Sequence, residues 1–327
     1  MSDQATMRFG KAINQALHDE MAADSAVIII GEDVGAPGGS FGVTRGLLDA
    51  YGADRVLDTP ISEATIVSMT LGAAMCGLRP VVEIMFMDFV TLAMDALVNQ
   101  AAKAHFMFGG QVSAPMVLRA PHGGGLNAGP QHSQCLEAWF AHIPGLKVVC
   151  PSNAVDAYAL MRAAIRDPNP VIFVENKALY AIAQPFGGVW PEAEIGKART
   201  VCEGSDVTVV CYGAMVAEAL TAAGILASEG TKVEVVDLCS LQPWDEAAVL
   251  GSLVRTHRLV IAQEAVEAFG IGAEIAARMA DVGFDELDAP IVRVGAPFIP
   301  VPFANNLETQ YRPSAGDIVA AVRRTME

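Results

Sequence analysis

Strand-length apolar runs alternate with helical patterns along almost the whole chain, and that alternation leaves few folds open. Residues 26–30, 80–85, 115–119, 146–150 and 170–175 are short, apolar and β-branched. Between them, residues 7–22, 63–76, 90–105 and 154–166 carry apolar positions at helical spacing. A second series begins at Asp206: strands at 207–212, 232–238, 258–263 and 290–294 alternate with helices at 215–229, 245–256, 272–282 and 314–326. Strictly alternating elements require right-handed crossovers, and so parallel sheets with helices on both faces. The expected fold class is α/β, with two doubly wound, mainly parallel-sheet domains at 1–185 and 201–327. Periodicity is lost between them, where Pro185, Gly187, Gly188, Pro191 and Gly196 cluster, and residues 186–200 are read as the linker.

Composition narrows the function classes. The chain is 52% hydrophobic, which suits sheets buried on both faces and apolar subunit contacts. Glu83, Asp88 and Asp95 interrupt the longest candidate for a membrane-spanning helix, so no membrane partner is expected. A net charge of −16 without a basic cluster excludes nucleic acid as a natural partner. The opening residues do not read as a signal peptide, and six cysteines sit singly without metal spacing. They are expected to be reduced thiols in a cytoplasmic protein.

The candidate chemistry clusters after strands, where doubly wound folds bind ligands. A turn with Pro60 and Ser62 delivers Glu63 to the start of an apolar helix expected to be buried nearly all round. Glu63 is either a helix-start acid stabilised by the dipole or a carboxylate withheld from water for function. Phe86 and Phe89 follow one strand later. His122 and His132 bracket a loop with three consecutive glycines. Such a loop lets backbone approach a ligand and brings proton carriers near it, although a lone loop histidine is commonly just solvated. Ten residues of spacing and no third ligand make the pair a poor metal site. Gly38-Gly39-Ser40-Phe41-Gly42 matches a nucleophile-elbow pattern but lacks a strand running into the serine. Gly270-Ile271-Gly272 lacks the third glycine of a dinucleotide fingerprint and reads as close helix–strand packing. There is no Walker loop.

Longer stretches carry a family resemblance. They are Gly31-Glu32-Asp33-Val34, Phe41-Gly42-Val43-Thr44, the run 55–63, Gly77-Leu78-Arg79-Pro80, residues 99–103, Gln131-His132-Ser133, residues 144–149 and Ala164-Ile165-Arg166-Asp167. Over nearly its whole length the chain resembles the beta subunit of the thiamine-diphosphate-dependent decarboxylase component of 2-oxo acid dehydrogenase complexes, of pyruvate, branched-chain or acetoin type. The resemblance implies a pyrimidine-binding domain followed by a transketolase-type C-terminal domain. It implies a heterotetramer of two alpha and two beta subunits that cleaves a small 2-oxo acid or acetoin oxidatively and passes the acyl group to a lipoyl acyltransferase core. Thiamine diphosphate is the implied cofactor. The Gly-Asp-Gly signature that holds Mg²⁺ and diphosphate is missing, and in this family the alpha subunit supplies it; Gly31-Glu32-Asp33 is only an echo.

By the same resemblance Glu63 bonds the aminopyrimidine ring nitrogen, and Phe89 packs on that ring. His132 assists proton transfer during acyl passage to lipoamide. Met116, Ala164, Ile165, Asp167 and Asn169 match a loop that holds a structural K⁺, mainly by backbone carbonyls. Two departures stand out: Cys239 replaces a frequent arginine, and Ala64-Thr65 follow Glu63 where relatives often have glycine. Residues 107–110 and 149–151 look more like the acetoin type. A catalytically silent scaffold that only docks an acyltransferase is the alternative, and Glu63, Phe89 and His132 together speak against it.

Overall fold

The computed structural model describes residues 6–327. The chain packs as two units, one comprising residues up to His122 together with Trp139–Ile195, the other Gly123–Ala138 together with Gly196–Glu327. In the first, the strands are β1 (Val27–Gly31), β2 (Val56–Asp58), β3 (Arg79–Glu83), β4 (Val117–His122), β5 (Lys147–Val149) and β6 (Val171–Asn176). They pair in the order β5-β6-β4-β3-β1-β2, and each pairing is parallel. β1, β4 and β6 are buried at every position, so their residues do not alternate between a core face and a solvent face, and the few charged ones must find partners inside.

Helices α1 (Phe9–Ala23), α2 (Glu63–Met75) and α3 (Ala154–Arg166) accompany this sheet. α1 and α3 are clamped together by the buried Glu20 of α1, which takes Arg162 at 2.8 Å and Arg166 at 2.7 Å from α3. Asn153 caps α3 by accepting the Asp156 amide. The segment expected as one helix at 90–105 is broken in character. A 3₁₀ turn at Thr91–Ala93 precedes a π-helical turn at Ala96–Ala101, and α-helix resumes at Ala102–Met107. A short ribbon, Thr6–Arg8 with Ala183–Pro185, was not legible as strand because its residues are mostly exposed. The irregular stretch beyond it is pinned by Trp190, stacked 4.0 Å from the Tyr158 ring.

The second unit repeats the plan. β7 (Arg199–Cys202), β8 (Val207–Cys211), β9 (Val233–Asp237), β10 (Leu259–Val266) and β11 (Val292–Ala296) pair in the order β11-β10-β8-β9-β7. β7 is the antiparallel edge. α4 (Met215–Ser228), α5 (Glu246–Thr256), α6 (Ile271–Val282), α7 (Asn305–Tyr311) and α8 (Ala315–Met326) complete it. Asp245 caps α5, and Ser314 with Asp317 forms a capping box on α8. α4 and α8 bury Ala219, Leu226, Ile318 and Val322 with the sheet's Val209, Val235 and Val260. Among the described residues no helix is long and apolar enough to cross a membrane.

The first sheet holds a buried ion cluster. Arg119 on β4 grips Glu175 of β6 in bidentate fashion, at 2.7 and 2.8 Å, and also bonds Glu83 of β3. Tyr180 donates to Glu175 at 2.6 Å. All four side chains are buried. Replacing Arg119 by methionine would leave two carboxylates in the core without their cation. The variant should lose about 3–5 kcal/mol of stability. Urea unfolding measures this, and an unchanged midpoint would show that the carboxylates find other partners.

Candidate functional site

In the first sheet the chain runs from β1 outward to β2 and then returns to β3 on the other side of β1. That reversal is the switch point at which a doubly wound sheet opens a crevice beyond its carboxyl strand ends. Glu32 leaves β1, the turn to Glu63 leaves β2, and Phe86 and Phe89 follow β3. The local geometry is tightly specified. Gly31 admits no side chain, since a Cβ there would lie 2.7 Å from the Glu83 carbonyl oxygen. The Thr59 amide donates to the Gly31 carbonyl at 3.0 Å, and the Gly35 amide to Asp58 at 2.7 Å. These bonds tie the glycine-rich loop after β1 to the turn that carries Glu63.

Glu63 occupies the first turn of α2 and is 7% exposed. Ser62 precedes it but does not cap the helix with its hydroxyl, which donates instead to Thr65 at 2.8 Å. The Ser62 amide is hydrogen-bonded to Glu32. Glu32, only an echo in the sequence, is 4% exposed, and its Oε1 has no hydrogen-bond partner within the chain. Burial raises the Glu32 carboxyl above its ordinary range, and the neighbouring Glu63 carboxylate raises it further. Two buried acids thus lie close enough to feel each other's charge. An orphaned buried oxygen beside a second carboxylate suits a ligand that brings hydrogen-bond donors, such as an aminopyrimidine with a protonated ring nitrogen.

An aromatic group continues this rim. The Phe86 and Phe89 rings meet edge to face at 5.8 Å, Phe86 meets Phe41 likewise at 5.8 Å, and Phe41 stacks on Tyr180 at 4.8 Å. Phe41 comes from the loop anchored on the ion cluster, where the Ser40 amide bonds Glu83. Phe86 and Phe89 are half-buried and present apolar faces suited to a planar ring. α2 is not buried all round as expected. It buries Glu63, Ile66, Val67, Thr70, Leu71 and Ala74, while Ala64, Ser68, Met69 and Met75 remain exposed.

The two histidines of the glycine-rich loop belong to different units. His122 closes β4 in the first unit, 1% exposed, with its Nε2 4.0 Å from the Cys150 sulfur. His132 is half-buried in Gly123–Ala138, which groups with the second unit. Of the residues expected to hold K⁺, Ala164 and Ile165 lie in the last turn of α3, Asp167 and Asn169 follow it, and Met116 precedes β4. The Ile165 carbonyl accepts from Arg79 at 2.8 Å and the Met116 carbonyl from Val171 at 2.9 Å. The Asp167 carboxylate is engaged by Lys147 and by Asn169. Carbonyls of a helix's last turn carry partial negative charge and spare lone pairs, which fits a hard monovalent cation bound through backbone oxygen. The Gly270-x-Gly272 pattern is a packing point as expected: the Gly272 amide donates to Gln263 Oε1 at 2.7 Å.

Comparison with known proteins matches two domains in succession along the chain. Residues 5–182 match the transketolase pyrimidine-binding domain and residues 196–318 the transketolase C-terminal domain. The chain is 46% identical over 322 residues to the rice (Oryza sativa subsp. japonica) mitochondrial pyruvate dehydrogenase E1 component subunit beta-2, covering 97% of this chain and 86% of that protein. It is 47% identical over 330 residues to the beta subunit of the acetoin:2,6-dichlorophenolindophenol oxidoreductase of Cupriavidus necator, covering 97% and 96%. In fold it matches a split-gene transketolase described as an inactive beta4 tetramer, with a TM-score of 0.81 at 24% identity over 96% of each chain.

The pairing of Glu32 with Glu63 has a measurable signature. An acid with a raised folded-state pKa holds its proton more tightly when folded. Its contribution to stability is therefore complete at low pH and lost as pH climbs through the raised value. Glu32→Gln removes this loss. The melting temperature of the variant relative to wild type should grow as pH rises from about 4 to about 8. A difference that stays flat over that range would refute the shift.

Proposed function

The chain belongs to the thiamine-diphosphate-dependent family of pyruvate and acetoin dehydrogenase beta subunits, and from that premise we propose that it is the beta half of a tetramer of two alpha and two beta subunits. The assembly cleaves a small 2-oxo acid or acetoin oxidatively and delivers the acyl group to a lipoyl acyltransferase core. The observation that carries this reading is the pairing of Glu32 and Glu63 at the first sheet's switch point, where Phe86 and Phe89 follow the adjoining strand β3. A silent scaffold has no use for two acids buried within reach of each other's charge. The chain contains no Gly-Asp-Gly signature, which supports an alpha subunit that holds the Mg²⁺ and diphosphate. The exposed apolar face of α2 supports a partner chain against the helix that begins at Glu63.

Bound thiamine diphosphate would supply a carbon nucleophile and then an electron sink. Glu63 would hold the ring nitrogen of its aminopyrimidine by a hydrogen bond that selects the imino tautomer, in a water-poor site where that bond is strong. Phe89 would pack on the ring and fix its plane. His132 would serve the transfer to lipoamide. There it would give a proton to the dithiolane sulfur that is released when the disulfide bond breaks and that does not take up the acyl group. The carbonyls of Met116, Ala164, Ile165, Asp167 and Asn169 would hold K⁺ and brace the end of α3. All six cysteines are present as thiols, which supports a reducing, cytoplasmic setting.

Calorimetry of thiamine diphosphate and Mg²⁺ binding tests the split site. Binding is expected for this chain co-expressed with its alpha subunit and not for this chain alone; tight binding to the isolated chain would overturn the two-subunit account. Glu63→Gln should assemble normally and lose at least about 10²-fold in turnover. Wild-type turnover in that variant would show that the Glu63 carboxylate does not activate the cofactor.

A further inference from the structure

The second unit has a switch point of its own. From β8 the chain runs outward to β9 and returns to β10 on the other side of β8. Tyr212 directly follows β8, and Glu264 lies near the end of β10. A ligand would be expected beyond these strand ends, and the structure puts a piece of the protein's own backbone there. The Gly124 amide donates to Glu264 at 2.7 Å. The Gly125 and Asn127 amides donate to the two carboxylate oxygens of Glu308 on α7, each at 2.9 Å. At the other end of the same segment, Tyr212 donates to Glu137 at 2.8 Å. Glu264, Glu308 and Glu137 are all buried.

The fit between loop and holder is close. A Cβ on Gly124 would come within 3.1 Å of Glu308 Oε1 and 3.0 Å of the Arg312 side chain. Arg312 also bonds Glu264 at 3.3 Å. Gly129 has φ of +75° and lies against the Phe303 ring, 2.2 Å from where a Cβ would sit. Between its two anchors the loop carries His132. Bonds from neutral amides to buried carboxylates are stronger than neutral ones. Glu308 spans two amides with its two oxygens, so it fixes orientation as well as position.

We propose that Glu308, together with Glu264, is a positioning residue for His132, holding the glycine-rich loop as an internal ligand of the C-terminal unit. Its consequence for acyl transfer rests on the proposed role of His132 in lipoamide acylation; the holding itself does not. A residue that acts through His132 should affect passage of the acyl group to lipoamide and leave decarboxylation into an artificial electron acceptor nearly intact.

The test uses the assembled alpha–beta enzyme carrying Glu308→Ala or Glu308→Gln, with His132→Ala in parallel. Amide hydrogen exchange over residues 123–138 is read together with both activities. Glu308→Ala should accelerate exchange at Gly124, Gly125 and Asn127 and lower lipoamide acylation by up to about 10²-fold, the scale of a small misplacement of a reacting group. The dye-linked rate should stay within about threefold, and Glu308→Gln, which keeps one acceptor oxygen, should fall between. Gly124→Ala keeps both carboxylates and crowds Glu308, so it should reproduce the effect if Glu308→Ala does not assemble. Unchanged exchange would overturn the proposal, and so would equal losses in the two activities. If His132→Ala acylates lipoamide normally, the role of His132 fails, and the exchange result alone decides whether Glu308 holds the loop.

Discussion

Arg119 stands between two glutamates in the middle of the first sheet, and the geometry of the rim follows from that arrangement. Burial disfavours the charged guanidinium, and Glu175 and Glu83 more than offset that. One cation shared by two acids leaves an excess of negative charge. Burial raises the Glu83 carboxyl, Arg119 counters it, and Glu175 adds to the rise. Such clusters add little net stability compared with apolar packing, but they tolerate few alternative arrangements. Here the cluster crosses β3, β4 and β6, reaches Tyr180, and takes the Ser40 amide. The loop after β1 is thereby tethered, Phe41 is set against Phe86 and Tyr180, and the aromatic wall that follows β3 acquires a fixed shape.

The two units solve the same topological problem differently. Each has a sheet whose order reverses, and each reversal leaves a place where backbone groups and side chains point away from the sheet. In the first unit that place is lined by acids and aromatic rings. In the second, two carboxylates and a tyrosine close on a glycine-rich segment of the chain itself. The glycines of that segment serve a purpose beyond turning: a side chain at Gly124 would crowd its holders, and one at Gly129 would collide with Phe303.

Much of the fold was legible because parallel strands buried on both faces give continuous apolar runs, and amphipathic helices repeat between them. The helix at 154–166 and the start at Glu63 agree with the sequence reading to the residue. Mostly exposed pieces such as Thr6–Arg8 and Arg199–Cys202 carried no such signal. Of the site, Glu63 was legible from an acid placed before an apolar helix. Glu32 was not, because its meaning depends on β1 lying between β2 and β3, which no local pattern encodes. A charged residue directly after a fully apolar strand was the only available hint. Glu264 and Glu308 were also missed, since 140 and 183 residues separate them from the amides they hold.

That separation sets an order of events during synthesis. The segment around Gly125 leaves the ribosome 183 residues before Glu308 does. At ordinary elongation rates the delay is on the order of 10–40 s. Within that interval β5 and β6 emerge and complete the first sheet, then Tyr212 and Glu264 become available to the histidine-bearing loop, and Glu308 comes last. The newborn chain therefore carries its run of three consecutive glycines without its full set of holders until nearly the last helix has emerged, which makes this stretch a natural point of protection by chaperones or of loss to proteases.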